Sequence, residues 1–182
     1  MKYAVIALAL AGATLWAQMT RPPKDLPQMP GSVAAGKATS LRPIEIKVDE
    51  QIAAANRQQP IDILGATRCI YLHGIGAILS TKVELMRTPT VNPFQRQMVA
   101  PQEAVEIYRT KTANLVPLRR AMKNSMIAAA KEMDFVPQTE QIVFVVGLIY
   151  QPWENTKGLP TQIVMRADRR SAIAGDIKTE EQ

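Results

Sequence analysis

The amino-acid sequence predicts an α+β fold, a two-layer sandwich in which one long kinked helix covers one face of a four-stranded, mainly antiparallel sheet, with elements in the order ββαββα. Three features predict it. Two apolar stretches, 69–72 and 77–86, flank Gly74 and Gly76 in the manner of a hairpin. Apolar side chains then recur every three or four residues from Val105 to Met133, the period of a helix. Two further strand-like runs, 141–150 and 161–167, follow with a loop between them.

Taken in chain order, residues 1–17 (MKYAVIALALAGATLWA) hold one cation, Lys2, then an apolar run and the small residue Ala17 ahead of polar Gln18. That is the layout of a cleavable export signal. The run is shorter than the about 20 apolar residues of a membrane span. Cleavage is expected after Ala17, with Ala13 as the second site and an uncleaved anchor as the alternative. No cysteine lies beside either site, so no lipid anchor is expected, and the protein is placed outside the cytoplasm, periplasmic or secreted. Residues 18–48, with Pro22, Pro23, Pro27, Pro30 and Pro43, read as a flexible leader. A short surface helix is expected within 49–60, N-capped by Asp49 and stopped by Pro60. A single domain is expected over 61–175, ahead of a charged tail, 176–182.

Within that domain the second stretch of the first hairpin alternates. Leu79, Thr81, Val83 and Leu85 point one way, while Ser80, Lys82 and Glu84 point the other. Residues 87–101, with Pro89, Pro93 and Pro101, read as an irregular connection. The helix that follows contains Pro117, but its apolar register continues past it, so a kink between Ala113 and Pro117 is expected. The run QIVFVVGLIY is apolar almost without interruption, as in a strand covered on both sides or lying at the sheet centre. TQIVMRA resumes alternation and completes a second hairpin; a last short helix is expected from an Asp168 N-cap to Ala174.

The charge of +6 falls to +5 once Lys2 is removed, and the cations are interspersed with acids. This favours solubility, and nucleic acid is not an expected partner. Cys69 is the only cysteine, so the chain forms no internal disulfide. Cys69 and His73, four apart on a strand, share a side, but no third group joins them as a metal ligand or as part of a nucleophile–base set. Gly74 and Gly76 form G-x-G ahead of a strand, where a dinucleotide loop needs a helix. Two acidic pairs, Glu103 with Glu106 and Glu154 with Asp168, have no sequence spacing that fixes a catalytic separation. Arg109, Lys111, Arg119, Arg120, Lys123 and Lys131 are expected on a solvated helix face, and Met122, Met126 and Met133 as core filler. No cofactor and no metal are expected. The candidate binding surface is the wet sheet face of Ser80, Lys82, Glu84, Gln162 and Arg166, with Trp153 in the neighbouring loop as an anchor.

The segments CIYLHGIGAILSTKVEL, AAAKEMDFVPQTEQIVFVV and YQPWENTKGLPTQIVM together resemble a group of small secreted bacterial proteins to which no activity is assigned. The resemblance covers about two thirds of the chain and implies an exported α+β domain. The expected function is a non-enzymatic binding module that meets a protein or a cell-envelope component. Alternatives are a small hydrolase using Cys69 and His73 or scattered carboxylates, and an envelope module tethered to the membrane by an uncleaved signal.

Overall fold

A computed structural model describes residues 41–88 and 99–182, all within one unit, Thr39–Gln182. The expected signal, the leader as far as residue 40 and most of the proline-rich connection lie outside the described residues. The protein is α+β, with a long helix against a six-stranded sheet.

The first helix, α1, spans Arg42–Ala53 and starts eight residues before the position after Asp49 where it is expected. Pro43 sits in its first turn, where a missing N–H removes no helical bond and the fixed φ favours the helix. Ile44, Val48 and Ile52 recur every fourth residue and are buried. The helix therefore belongs to the core and not to the surface. Asp49, expected as its cap, lies within it.

Three strands follow: β1 (Asp62–Ile63), β2 (Arg68–Leu72) and β3 (Gly76–Glu84). The hairpin expected around Gly74 and Gly76 is β2–β3, antiparallel from Leu72↔Gly76 to Arg68↔Ser80. Further along the same edge of β3, β1 pairs Ile63 with Val83 and Asp62 with Glu84. Thus β1 and β2 are two pieces of one interrupted edge.

The helix α2, Pro101–Glu132, follows and is continuous through Pro117. It returns the chain so that β4 (Gln141–Leu148) lies parallel to β3, in register from Gly76↔Gln141 to Val83↔Leu148. A parallel pair needs such a crossover. The remaining pairings are antiparallel: β4 with β5 (Gln162–Asp168), as expected of the second hairpin, and β5 with β6 (Lys178–Glu181). The expected four strands become six because β1 is too short to leave a sequence signal and β6 is wholly charged or polar. Between β5 and β6 lies α3, Arg169–Ala174, capped by Asp168, whose carboxylate accepts from the Ser171 N–H as the sequence predicts. Gly175 ends it in the left-handed conformation.

One core forms on the helix side of the sheet. Leu79 and Val83 of β3, Ile142, Phe144 and Val146 of β4, and Ile163 and Met165 of β5 meet Leu118, Met122 and Met126 of α2. The methionines are fully buried, as expected of filler in an irregular gap. At about 1.5 Å per residue α2 is roughly 48 Å long, against about 26 Å for the eight residues of β4. Its first turns therefore pack on loops, and its buried face changes there. Val105 is 57% exposed, and Ile107, Lys111 and Asn114 take the inward positions.

Candidate functional site

The opposite sheet face is the feature on which the functional reading rests. All three described helices contribute to the core on the other side, leaving this face uncovered among the described residues. The register fixes its rows. Ile70, Ile78, Val143, Arg166 and Lys178 run side by side across five strands, and Arg68, Ser80, Val145, Val164 and Glu180 form the next row. Lys82, Gly147 and Gln162 form a third. The centre is apolar and β-branched, with Ile70 58% exposed and neighbouring Leu72 42% exposed. Arg68, Lys82, Arg166 and Lys178 are exposed around it. The Lys82 stem runs beside Gly147, where a Cβ would lie 3.7 Å from its Cγ. Arg166 pairs with Glu180. At the β5–β6 end the face opens into a cleft of about 310 Å³ lined by Gln141, Arg166, Asp168, Ser171, Asp176 and Lys178.

Four of the six expected contact residues, Ser80, Lys82, Gln162 and Arg166, lie on this face, and two do not. Glu84 is buried, 9% exposed: its carboxylate accepts from the Thr88 hydroxyl and lies 3.5 Å from the Lys111 ammonium. The strand alternation breaks at that last residue because a buried cation draws the side chain in. Trp153 is half-buried in the turn after β4, beside Glu154, whose two carboxylate oxygens take hydrogen bonds of 2.8 and 2.7 Å from Lys111 Nζ. Lys111, expected in solvent, is fully buried, with Nζ 5.5 Å from the centre of the Tyr150 ring. One turn on, the Asn114 amide donates to the carbonyls of Leu85 and Gln59. Loop carbonyls and carboxylates thus occupy the space beneath the overhanging helix. Burial and the Glu154 charge push the Tyr150 phenol up to about 12, so it stays protonated and donates to the Pro160 carbonyl.

The face residues that sequence reasoning missed are Arg68, Ile70, Ile78, Val143, Val145, Val164 and Lys178. For Val143 and Val145 the signal lies in the apolar run of β4, whose composition predicts a strand covered on both sides or central. It is central, between β3 and β5, but only Ile142, Phe144, Val146 and Leu148 are buried.

The remaining candidates are not assembled into a reactive site. Cys69 is buried, and its thiol is pushed up to about 11 by that burial and by Glu45. His73 lies exposed in the hairpin turn, its Nδ1 3.4 Å from the Tyr71 hydroxyl. Glu106 pairs with Arg109 on the helix surface. Glu154 follows β4 at one end of the sheet, and Asp168 ends β5 at the other, roughly 20 Å away along the strands. Among the described residues no three His, Cys, Asp or Glu side chains converge as metal ligands, and no helix is long and apolar enough to cross a membrane. The shift from the ordinary value of 9.0 to about 11 leaves about 100-fold less Cys69 thiolate at neutral pH. Iodoacetamide at pH 8 should therefore label the folded protein at least 100-fold more slowly than the urea-unfolded chain; equal rates would show an accessible thiol.

Neither sheet edge invites strand addition. On the β2 side, α1 supplies two carboxylates one turn apart. Asp49 accepts from the N–H and hydroxyl of Thr67, and Glu45 accepts from the N–H of Cys69. Four helical residues rise about 6 Å and two strand residues about 6.7 Å, so the spacings match. On the other side, β6 is four charged or polar residues, Lys178–Glu181. With both edges blunted, the fold and the face define an α+β sheet protein with one helix-packed face and one face left uncovered among the described residues. Comparison with protein-family models, curated proteins and solved structures gives no match.

Proposed function

We propose that the protein is an exported, non-enzymatic binding module that engages a protein partner through the open sheet face. The observation that carries this reading is the uncovered face itself, an apolar centre of Ile70, Leu72, Ile78, Val143, Val145 and Val164 bordered by four exposed cations. Contiguous apolar surface on a folded chain marks an interaction site. A photoreactive residue at Ile70 should crosslink a partner in the producing cell, whereas the same residue at Val116, exposed on α2, should not. Lys82→Glu with Arg166→Glu should remove the Ile70 adduct while the far-UV circular dichroism stays that of the folded chain; the melting temperature should fall by only a few degrees, since both side chains are exposed and the Arg166–Glu180 pair is a surface pair. Equal adducts from both positions, or an adduct indifferent to the charge reversal, would overturn the reading.

Export rests on the pattern of residues 1–17 and on the resemblance to small secreted bacterial proteins. The intact mass of protein recovered from the cell envelope or medium should correspond to a chain beginning at Gln18. A mass that includes Met1–Ala17 would favour the membrane-tethered alternative.

A further inference from the structure

We infer that Tyr71, His73 and Glu140 form a site for a borderline divalent cation such as zinc, at the end of the sheet where the β2–β3 hairpin meets the start of β4. Tyr71 lies on β2, His73 in the hairpin turn and Glu140 immediately before Gln141, the first residue of β4. The turn draws them together. The Gly74 N–H donates to Glu140 Oε1 at 3.0 Å, and the Gln141 N–H donates to the Ile75 carbonyl. The second carboxylate oxygen, Oε2, is buried and accepts no hydrogen bond among the described residues. Nor does any cation pair with Glu140 among them. A buried charged oxygen left so is costly unless a positive or donating group meets it. Desolvation and then the neighbouring Glu140 carboxylate hold the Tyr71 phenol above its ordinary value, which sets that carboxylate against the Tyr71 hydroxyl.

The spacing of the donors suits a metal better than a hydrogen bond. Tyr71 Oη and His73 Nδ1 are 3.4 Å apart, beyond the about 2.7–3.2 Å of a good hydrogen bond. Two ligands of a tetrahedral zinc ion, each bound at about 2.0–2.1 Å, lie about 3.3–3.4 Å from each other. The frame around them is fixed. The Tyr71 ring packs edge-on against Phe135, with centroids 5.4 Å apart, and the Glu140 backbone donates to the Pro137 carbonyl and accepts from the Arg169 N–H. The Gly74 bond orients the carboxylate from behind, as outer hydrogen bonds orient metal ligands. One imidazole with carboxylate and phenol oxygens selects zinc or copper over magnesium. The phenol gives its proton to solvent as it binds. Three protein ligands leave the fourth position to water or an outside group, unlike the closed four-ligand sites that only hold a fold together. His73 is exposed, so an ion reaches the site from solvent.

Calorimetric titration of the full chain with zinc chloride tests the site. Zinc should bind, and magnesium should not compete with it. His73→Ala, Glu140→Gln and Tyr71→Phe should each lower zinc affinity by about tenfold or more, with the far-UV circular dichroism of the folded chain retained. Glutamine keeps an acceptor for the Gly74 N–H, and His73 is exposed, so these two variants leave the fold in place. Saturating zinc should raise the melting temperature of the unsubstituted chain and leave that of His73→Ala where it is. Absence of zinc binding, magnesium binding as tight as zinc, or a loss of less than about tenfold in any of the three variants overturns the inference.

Discussion

Replacing Lys111 with methionine is expected to destabilise the folded chain by about 3–5 kcal/mol, because it removes the one cation from a buried group that contains two carboxylates. Glu154 gives both its oxygens to Lys111 Nζ and is nearly buried, with 4% of its side chain exposed; Glu84 lies 3.5 Å from the same nitrogen. Without the ammonium, two carboxylates with side chains only 11% and 4% exposed remain close together under α2, where solvent screens them poorly. Thermal unfolding should move down by roughly 10 °C for a domain of this size. The loss reflects the orphaned charge more than the worth of the pair, so Lys111→Met combined with Glu154→Leu should recover a large part of it. An unchanged melting temperature for the single variant, or a double variant worse than the single, would show that the cluster does not hold the helix overhang.

Gly76→Ala is expected to be at least as damaging. Gly76 opens β3 at φ +134°, a conformation that side chains rarely adopt, and it pairs in register with Gln141 at the start of the parallel ladder. An added Cβ would overlap the Gln141 carbonyl oxygen and lie 2.8 Å from the Gln141 nitrogen, so backbone and not a yielding side chain must shift. Strain and clash together should amount to about 3 kcal/mol or more. Gly74→Ala is the control. It has φ +80° in the same turn, but its Cβ would meet nothing within 4 Å, and the left-handed backbone alone costs about 1–2 kcal/mol. If chemical denaturation gave equal losses at the two glycines, the close approach of β3 to β4 at this point would be wrong.

The contrast between these two glycines illustrates what was legible from sequence. G-x-G ahead of an alternating run announced a hairpin, and β2–β3 is that hairpin. That the second glycine also admits a parallel neighbour 65 residues later is a tertiary fact without a local signal. The same division holds elsewhere. Period-2 alternation placed Ser80, Lys82, Gln162 and Arg166 on one face, and the Asp168 cap was readable from its position ahead of a short helix. Lys111 and Glu84 were read as solvated because both are charged; only the overhang of α2 over loops makes burial affordable for them. The helix α1 is hidden as a core element because Pro43 continues the run of prolines before it, although the spacing of Ile44, Val48 and Ile52 carries the period of a packed helix. β6 carries no apolar pattern at all. It is held by the β5 ladder and by the Arg119–Glu181 and Arg166–Glu180 pairs.

The carboxylates of α1 bear on where this protein can be cut. The sequence pattern suggests trimming to Ile61, where the strands begin. A chain begun there would lose Ile44, Val48 and Ile52 from its interior and would bare the Thr67 and Cys69 N–H groups along a strand that also carries Ile70 and Leu72. Such an edge is a template for stacking copy upon copy. The smallest well-behaved fragment therefore starts at or before Leu41, and a shorter one should be judged by fibre formation as well as by yield.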